Sequence, residues 1–361
     1  MNSHLSHLFS QITPDSFMEI RGATEKLRNG DVHYPFRQNS DFLYLTGLSI
    51  PNLVLSFFGG QVILWRDEIT HQDRIWGTDK LSDEEITSIS GISDIRDFSN
   101  FEAYRKNISS EKIFDPREIL IRMRLIKTPD EIEKIRKAIT ITNRAFEQAK
   151  NQIQAGMYEY EVEAIFAHEF RKHHGTEAYP TIVASGPNAC ILHYTKNTRK
   201  IETGDLILID AGCEYLGYAS DWTRMLSVSN ISKRQEAVLK SVEIVKKFAE
   251  SILKPGIQKL DYEIQVRQVL IVELESLGLI HPTLSLSEKM EISRIYYPHS
   301  TSHFLGLDVH DVGPRDIQIE KGMVLTIEPG IYIPEESIGV RLEDDYLVTG
   351  AGCQKLLPYE K

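Results

Sequence analysis

A chain of 361 residues is long for a single domain, and two domains is the natural expectation. Its 41% apolar and 26% charged residues are ordinary for a soluble globular protein with ample core. The net charge of −11, from 41 basic and 52 acidic residues, argues against nucleic acid as a partner, because phosphate binding rests on clustered Lys and Arg.

The start, "MNSHLSHLFSQITPDSF", has neither a basic leader nor an uninterrupted apolar stretch. No apolar run approaches the roughly 18 to 20 residues that cross a bilayer. The expectation is a cytoplasmic protein without membrane contact. Short strands and turns follow. "LVLSFFGGQVILW" predicts a hairpin around Gly59-Gly60, and "LSDEEITSI" a helix capped by Ser82 with Glu85 as its reciprocal partner. Residues 1–122 are expected to form a small α/β domain.

"RMRLIKTPDEIEKIRKAITITNRAFEQAKNQIQAG" opens a second domain, expected over 123–361. Thr128 caps a long helix, Pro129 suits its first position and Glu131 completes the capping box. Ile132, Ile135, Ile139, Phe146, Ala149 and Ile153 recur at helical spacing, and Gly156 is the expected stop. A second helix of this kind starts at Ser232, boxed by Gln235, and stops at Gly256, 100 residues after the first stop. Each is followed by another helical pattern and then by strands. The spacing predicts an internal duplication, with two halves packed about a pseudo-twofold and any site at the join drawing residues from both. His173 and His174, at the end of the pattern "YEYEVEAIFAHEFRKHHG", suit a helix dipole.

Carboxylates end the apolar strands. "DLILIDAGCEYLGYASDWTRMLSV" reads as a hairpin, and a tip at Tyr215-Leu216 sets Asp210 opposite Asp221 with both side chains on one face. Like charges so placed call for a cation between them, unless one aspartate is a turn residue bonding local backbone. "GMVLTIEPGIYI" ends a strand in Glu328, with Pro329-Gly330 read as the turn. "GVRLEDDYLV" puts Arg341, Glu343 and Asp345 on one strand face and Leu342 and Asp344 on the other.

"YYPHSTSHFLGLDVHD" adds His299, His303 and His310. His299 and His303 lack the Glu of a helical HExxH zinc site, and Gly306 argues against a long helix there. One histidine added to four carboxylates makes an oxygen-rich set able to hold two divalent cations. It leans to manganese, with cobalt, iron or zinc according to availability. Magnesium suits an all-protein cage less. Two such ions generate hydroxide at neutral pH and polarise a carbonyl, which suits hydrolysis. Cys190, Cys213 and Cys353 have no metal or catalytic spacing; odd in number and far apart, they fit a reducing compartment.

In order along the chain, "DAGCEYLGYASDWTR", "HSTSHFLGLDVHD", "TIEPGIYI" and "VRLEDD" resemble the pita-bread metallopeptidases and, within them, the aminopeptidase P (Xaa-Pro aminopeptidase) branch. "FRQNSDFLYLTGL", "RLIKTPDEIEKIRKA" and "GTEAYPTIVASGPNACILHYTKN" resemble it too. The resemblance implies an α/β (α+β) chain, with a small N-terminal domain before a pseudo-twofold pita-bread catalytic domain. It implies a dinuclear site of Asp210, Asp221, His303, Glu328 and Glu343, with Asp221 and Glu343 bridging and Glu328 also the general base. It further implies that His193, His299 and His310 line the substrate cleft and stabilise a gem-diolate, that Arg341 supports Glu343, and that Asp41 contacts substrate.

The implied reaction removes an N-terminal residue that precedes proline, and a homo-oligomer is expected. Ser300 departs from the Gly common after the first histidine, and the first domain, the connection from Asp311 to Gly322 and the tail are short. An Xaa-Pro dipeptidase shares all five ligands and remains open. A methionine aminopeptidase would not need the first domain, and a metal-free binding scaffold should have replaced a ligand.

Overall fold

The computed structural model describes residues 3–76 and 81–358, the side chains of Gln72 and Arg74 excepted. The chain divides into two compact units of mixed helix and sheet, Met1–Met123 and Arg124–Lys361. The outermost residues of the two expected domains, 1–2 and 359–361, lie outside the described residues. Among the described residues no helix is long and apolar enough to cross a membrane.

In the first unit a four-stranded sheet runs in the order Met18–Arg21, Val54–Phe58, Gln61–Arg66, Ile95–Asp97. Its central hairpin turns at Gly59 and Gly60, both at positive φ, as the two-glycine signal requires. The Ser82–Glu85 capping box forms and opens the helix Asp83–Ser90. Trp65 packs between Phe101 and Tyr104, and its indole N–H donates to Ser56 Oγ at 2.7 Å, so the largest core side chain leaves no polar atom unpaired.

The second unit shows its duplication in detail. Helices Pro129–Gln152 and Lys233–Ile252 open with the expected capping boxes at Thr128 and Ser232. Both stop four residues before the expected glycine, each on a cap residue in extended backbone, Ile153 and Leu253. The glycines serve the next turn instead. At φ 96° and 93°, Gly156 and Gly256 donate their N–H to Ile201 O and Ile319 O at 2.8 and 2.9 Å. The partner helices Glu159–Lys172 and Lys259–Ser276 then begin. His173, at the end of the first of these, is pushed below the ordinary imidazole range by burial and by Arg144, which weakens its interaction with the helix dipole.

The strands carrying the acids form two interrupted hairpins. In the first, Leu206–Ala211 pairs with Trp222–Ser227, and the reversal lies at Leu216-Gly217, with φ 51° and 84°. This is one residue beyond the expected tip, because Gly217 can occupy the left-handed second position of a two-residue turn. Thr223, not Asp221, therefore stands opposite Asp210. A two-residue change of partner preserves side-chain parity, so both aspartates still project to one face.

In the second, Val324–Ile327 pairs with Asp344–Val348, and Gly330–Ile333 pairs with Ile338–Arg341 in the same register. The expected turn at Pro329-Gly330 is absent: the chain runs on and reverses at Pro334–Ser337. Pro329 lacks an N–H and interrupts the ladder. The interruption leaves Glu328 facing Glu343, which lies in the break between strands and not within one.

Gly212 sits at the corresponding break of the first hairpin, where an added Cβ would meet Ser220 O at 1.9 Å and Tyr179 Cε1 at 2.8 Å. Gly212→Ala is expected to lower stability by about 1–3 kcal/mol, since backbone must move to admit the methyl group. Gly350→Ala, with nothing within 4 Å, should leave stability unchanged. Denaturant unfolding of the two variants checks the contrast.

Candidate metal centre

The two hairpins meet edge to edge. Glu343 N–H donates to Thr223 O at 3.2 Å, and Thr223 Oγ1 donates to Glu343 Oε2 at 2.7 Å. Asp221 N–H donates to Asp345 Oδ2 at 3.1 Å. Glu328 N–H donates to Thr301 O at 2.8 Å, which brings in the histidine segment, and His303 is pinned to Thr326 through N–H···Oγ1 and O···H–N contacts at 3.2 and 3.0 Å.

These bonds converge the acids. His303 Nε2 lies 3.3 Å from Asp221 Oδ2, 3.5 Å from Glu328 Oε1 and 3.9 Å from Glu343 Oε1. Asp221, His303 and Glu343 each offer a ligand atom within 4.8 Å of the others. Asp210 joins them through Tyr179, whose hydroxyl stands 2.6 Å from Asp210 Oδ1 and 2.5 Å from Asp221 Oδ1. Asp210 Oδ2 accepts from Arg341 Nη2 at 2.6 Å, and Arg341 also donates to Thr223 Oγ1 and Tyr332 Oη.

Two like charges at 4.8 Å repel by about 3–4 kcal/mol at an effective dielectric near 20. Burial, then Asp210, pushes the Asp221 carboxyl well above the ordinary range. Burial and Glu343 do the same to Glu328; burial, Asp221 and Asp210 do so to Glu343. Asp345, buried beside Asp221, is raised as well. Among the described residues, Glu343 Oε1 and Asp345 Oδ1 are buried without a hydrogen-bond partner. Unsatisfied acceptor oxygens beside a neutral imidazole fit divalent cations, and the mostly oxygen donor set fits hard or borderline metals.

The remaining predicted residues divide. His299 has both ring nitrogens engaged, Nδ1 with Ser300 O and Nε2 with Tyr332 Oη, each at 2.8 Å. Arg341 donates to Tyr332, so the tyrosine hydroxyl gives its own proton to His299 Nε2 and fixes the ring as its Nδ1–H tautomer. Burial, reinforced by Arg341, pushes His299 down to about 3. The His310 ring packs edge-on at 4.3 Å from His303, and burial with that neighbour lowers it to about 4. His193 is exposed on the loop after Cys190, within electrostatic reach of His299 and His310. Asp41 belongs to the first unit, in the first turn of the helix Ser40–Thr46.

Asp344 points the other way. Burial would raise its carboxyl, but Lys246, Arg224 and Lys355 override it and hold it low. Residue patterning singles out neither Tyr179 nor Tyr332, because each reaches the acids across elements distant in sequence. Thr223 was within reach of the sequence, since it alternates with Asp221 on one strand.

Residues 133–350 match the model of metallopeptidase family M24, and residues 2–114 match that of the aminopeptidase P N-terminal domain. The Xaa-Pro aminopeptidase of Escherichia coli (strain K12) is 34% identical, over 97% of this chain and 92% of the relative. That of Haemophilus influenzae is 34% identical over 96% and 91%. Among solved structures, proline aminopeptidase P II from Yersinia pestis superposes with a TM-score of 0.89 at 32% identity, covering 98% of this chain and 94% of that one. Zn-substituted E. coli aminopeptidase P in complex with product gives 0.90 at 32% identity, covering 98% and 93%.

The raised carboxyls carry a pH signature. In metal-free protein Asp221, Glu328 and Glu343 bind protons more tightly folded than unfolded. Their contribution to stability is present below the ordinary carboxylate pKa of about 4 and is lost as pH rises through the raised values. A divalent cation takes the place of those protons. The rise in melting temperature on adding manganese should therefore be larger at pH 8 than at pH 6. Thermal unfolding with and without chelator at both pH values measures it, and a pH-independent shift would contradict the assignment.

Proposed function

The chain belongs to metallopeptidase family M24, and we infer that it is a metal-dependent Xaa-Pro aminopeptidase, releasing the N-terminal residue of peptides whose second residue is proline. The observation that carries this reading is the buried set of acids around His303, intact at every expected position and held together only by protons or cations. The residues that would hold the divalent metal are Asp210, Asp221, His303, Glu328 and Glu343, with Asp221 and Glu343, next to His303, at the centre of the set. Manganese is the proposed metal, on the strength of the oxygen-rich donors. When bound, the ions supply an acidified water and Lewis-acid polarisation of the scissile carbonyl.

The chain's own groups do the rest. Glu328 is the proposed general base: its carboxylate takes a proton from the attacking water and can return it to the proline nitrogen as the C–N bond breaks. The products are one free amino acid and a peptide that begins with proline. His193 and His310 face the developing oxyanion. His299, its ring fixed by Tyr332, lines the substrate cleft beside Glu328 with them. Arg341 fixes the Asp210 carboxylate by direct contact and, through Thr223, keeps Glu343 in register. We further propose a cytoplasmic homo-oligomer, which sedimentation checks directly.

Two measurements test the reading. Asp221→Asn and Glu343→Gln should each lose about 10²-fold or more in kcat and retain fewer than two metal ions by elemental analysis. Full turnover with two ions bound in either variant would sink the ligand assignment. Xaa-Pro-Xaa tripeptides should be cleaved well above Xaa-Pro dipeptides. The reverse order would make the protein a dipeptidase.

A further inference from the structure

The segment "RLIK", residues 124–127, precedes the first long helix, and the chemistry above assigns it no part. Two of its cations are nevertheless buried. Lys127 Nζ donates to Asp311 Oδ2 at 2.9 Å with both side chains 1% exposed. Arg124, 3% exposed, grips the other oxygen of Asp311 and also donates to Asp308 Oδ2 at 2.7 Å. Two cations and two carboxylates thus close a charge-balanced lock around one short turn.

That turn carries His310. Asp311 N–H donates to Phe304 O at 2.8 Å and Gly306 N–H to Asp308 O at 3.1 Å, which closes the loop on itself immediately after His303. Gly306 O accepts from Ala219 N–H at 2.8 Å, beside the strand of Asp221. Lys127 N–H donates to Gly322 O at 2.9 Å, just before the strand Val324–Ile327 that leads to Glu328. The packing has no slack: a Cβ on Gly306 would lie 2.2 Å from Asp311 Oδ2 and 3.0 Å from Lys127 Cε. His310 precedes the locked aspartate by one residue, and its ring stands 4.3 Å from that of His303.

We propose that Lys127 and Arg124 are positioning residues for His310, acting through Asp311 to hold its imidazole over the reacting carbonyl. The inference rests on the role given to His310 above. The lock fixes the residue that follows His310, so loosening it would misplace the imidazole; bound metal, measured alongside, distinguishes this from a displaced ligand. Catalytic geometry is sensitive to shifts of about 1 Å.

A double-mutant cycle of Lys127→Met and His310→Ala, on the full-length metal-loaded protein with an Xaa-Pro-Xaa peptide, tests it. Lys127→Met should lower kcat about tenfold with KM and metal content little changed, and Lys127→Arg should restore most of the loss. In the His310→Ala background the same substitution should cost less than about twofold, because the group it positions is gone. An equal loss in both backgrounds, an unchanged kcat, or a loss that tracks bound metal overturns the proposal. Full activity in His310→Ala alone overturns the earlier reading of that histidine, and this inference with it. If Lys127→Met does not fold, Asp311→Asn, which keeps shape and removes the charge, enters the same cycle under the same criteria.

Discussion

Mutual repulsion among buried carboxylates is the constraint on which the second unit depends. Asp210, Asp221, Glu343 and Asp345 are all buried, and Glu328 faces them. Arg341 answers Asp210 alone by direct contact. A protein interior holds such a cluster only with protons or cations between the oxygens. Asp344 shows the alternative on the opposite face, where three basic side chains surround one acid and leave it ionised. Alternation along a few residues thus separates a self-sufficient ion cluster from one completed by metal.

The fold supplies convergence by interrupting its own sheets. Both hairpins lose their ladder where an acid must turn inward, at Gly212 beside Asp221 and at Pro329 beside Glu328. The amides of Asp221, Glu328 and Glu343 at these breaks bond to the other hairpin or to the histidine segment. Duplication makes this arrangement economical, since the same helix–turn–helix brace, tied by Gly156 and Gly256 to the segment that leads into the next hairpin, recurs behind each hairpin.

Much of this was legible in residue order. Capping boxes at Thr128 and Ser232 mark helix starts through local chemistry that tertiary packing does not override. The facing of Arg341, Glu343 and Asp345 follows from alternation, and the parity of Asp210 and Asp221 survives a misplaced turn because side chains repeat every two residues. Helix ends were read four residues long, because Gly156 and Gly256 signal a left-handed turn without saying which turn uses it. Pro329-Gly330 was misread for a related reason: a break within one long hairpin and a reversal use the same residues. The tyrosine hydroxyls on Asp210, Asp221 and His299 have no local signal, since contacts between distant elements leave no periodicity behind.

The amides of Glu328 and Glu343 are each committed to a carbonyl of another segment, Thr301 and Thr223. Neither main chain can slide toward or away from its neighbours without breaking a bond that joins the molecule's parts. Accommodation of ions of different radius is left to torsions about Cβ and Cγ, in a cage otherwise set when the chain folds.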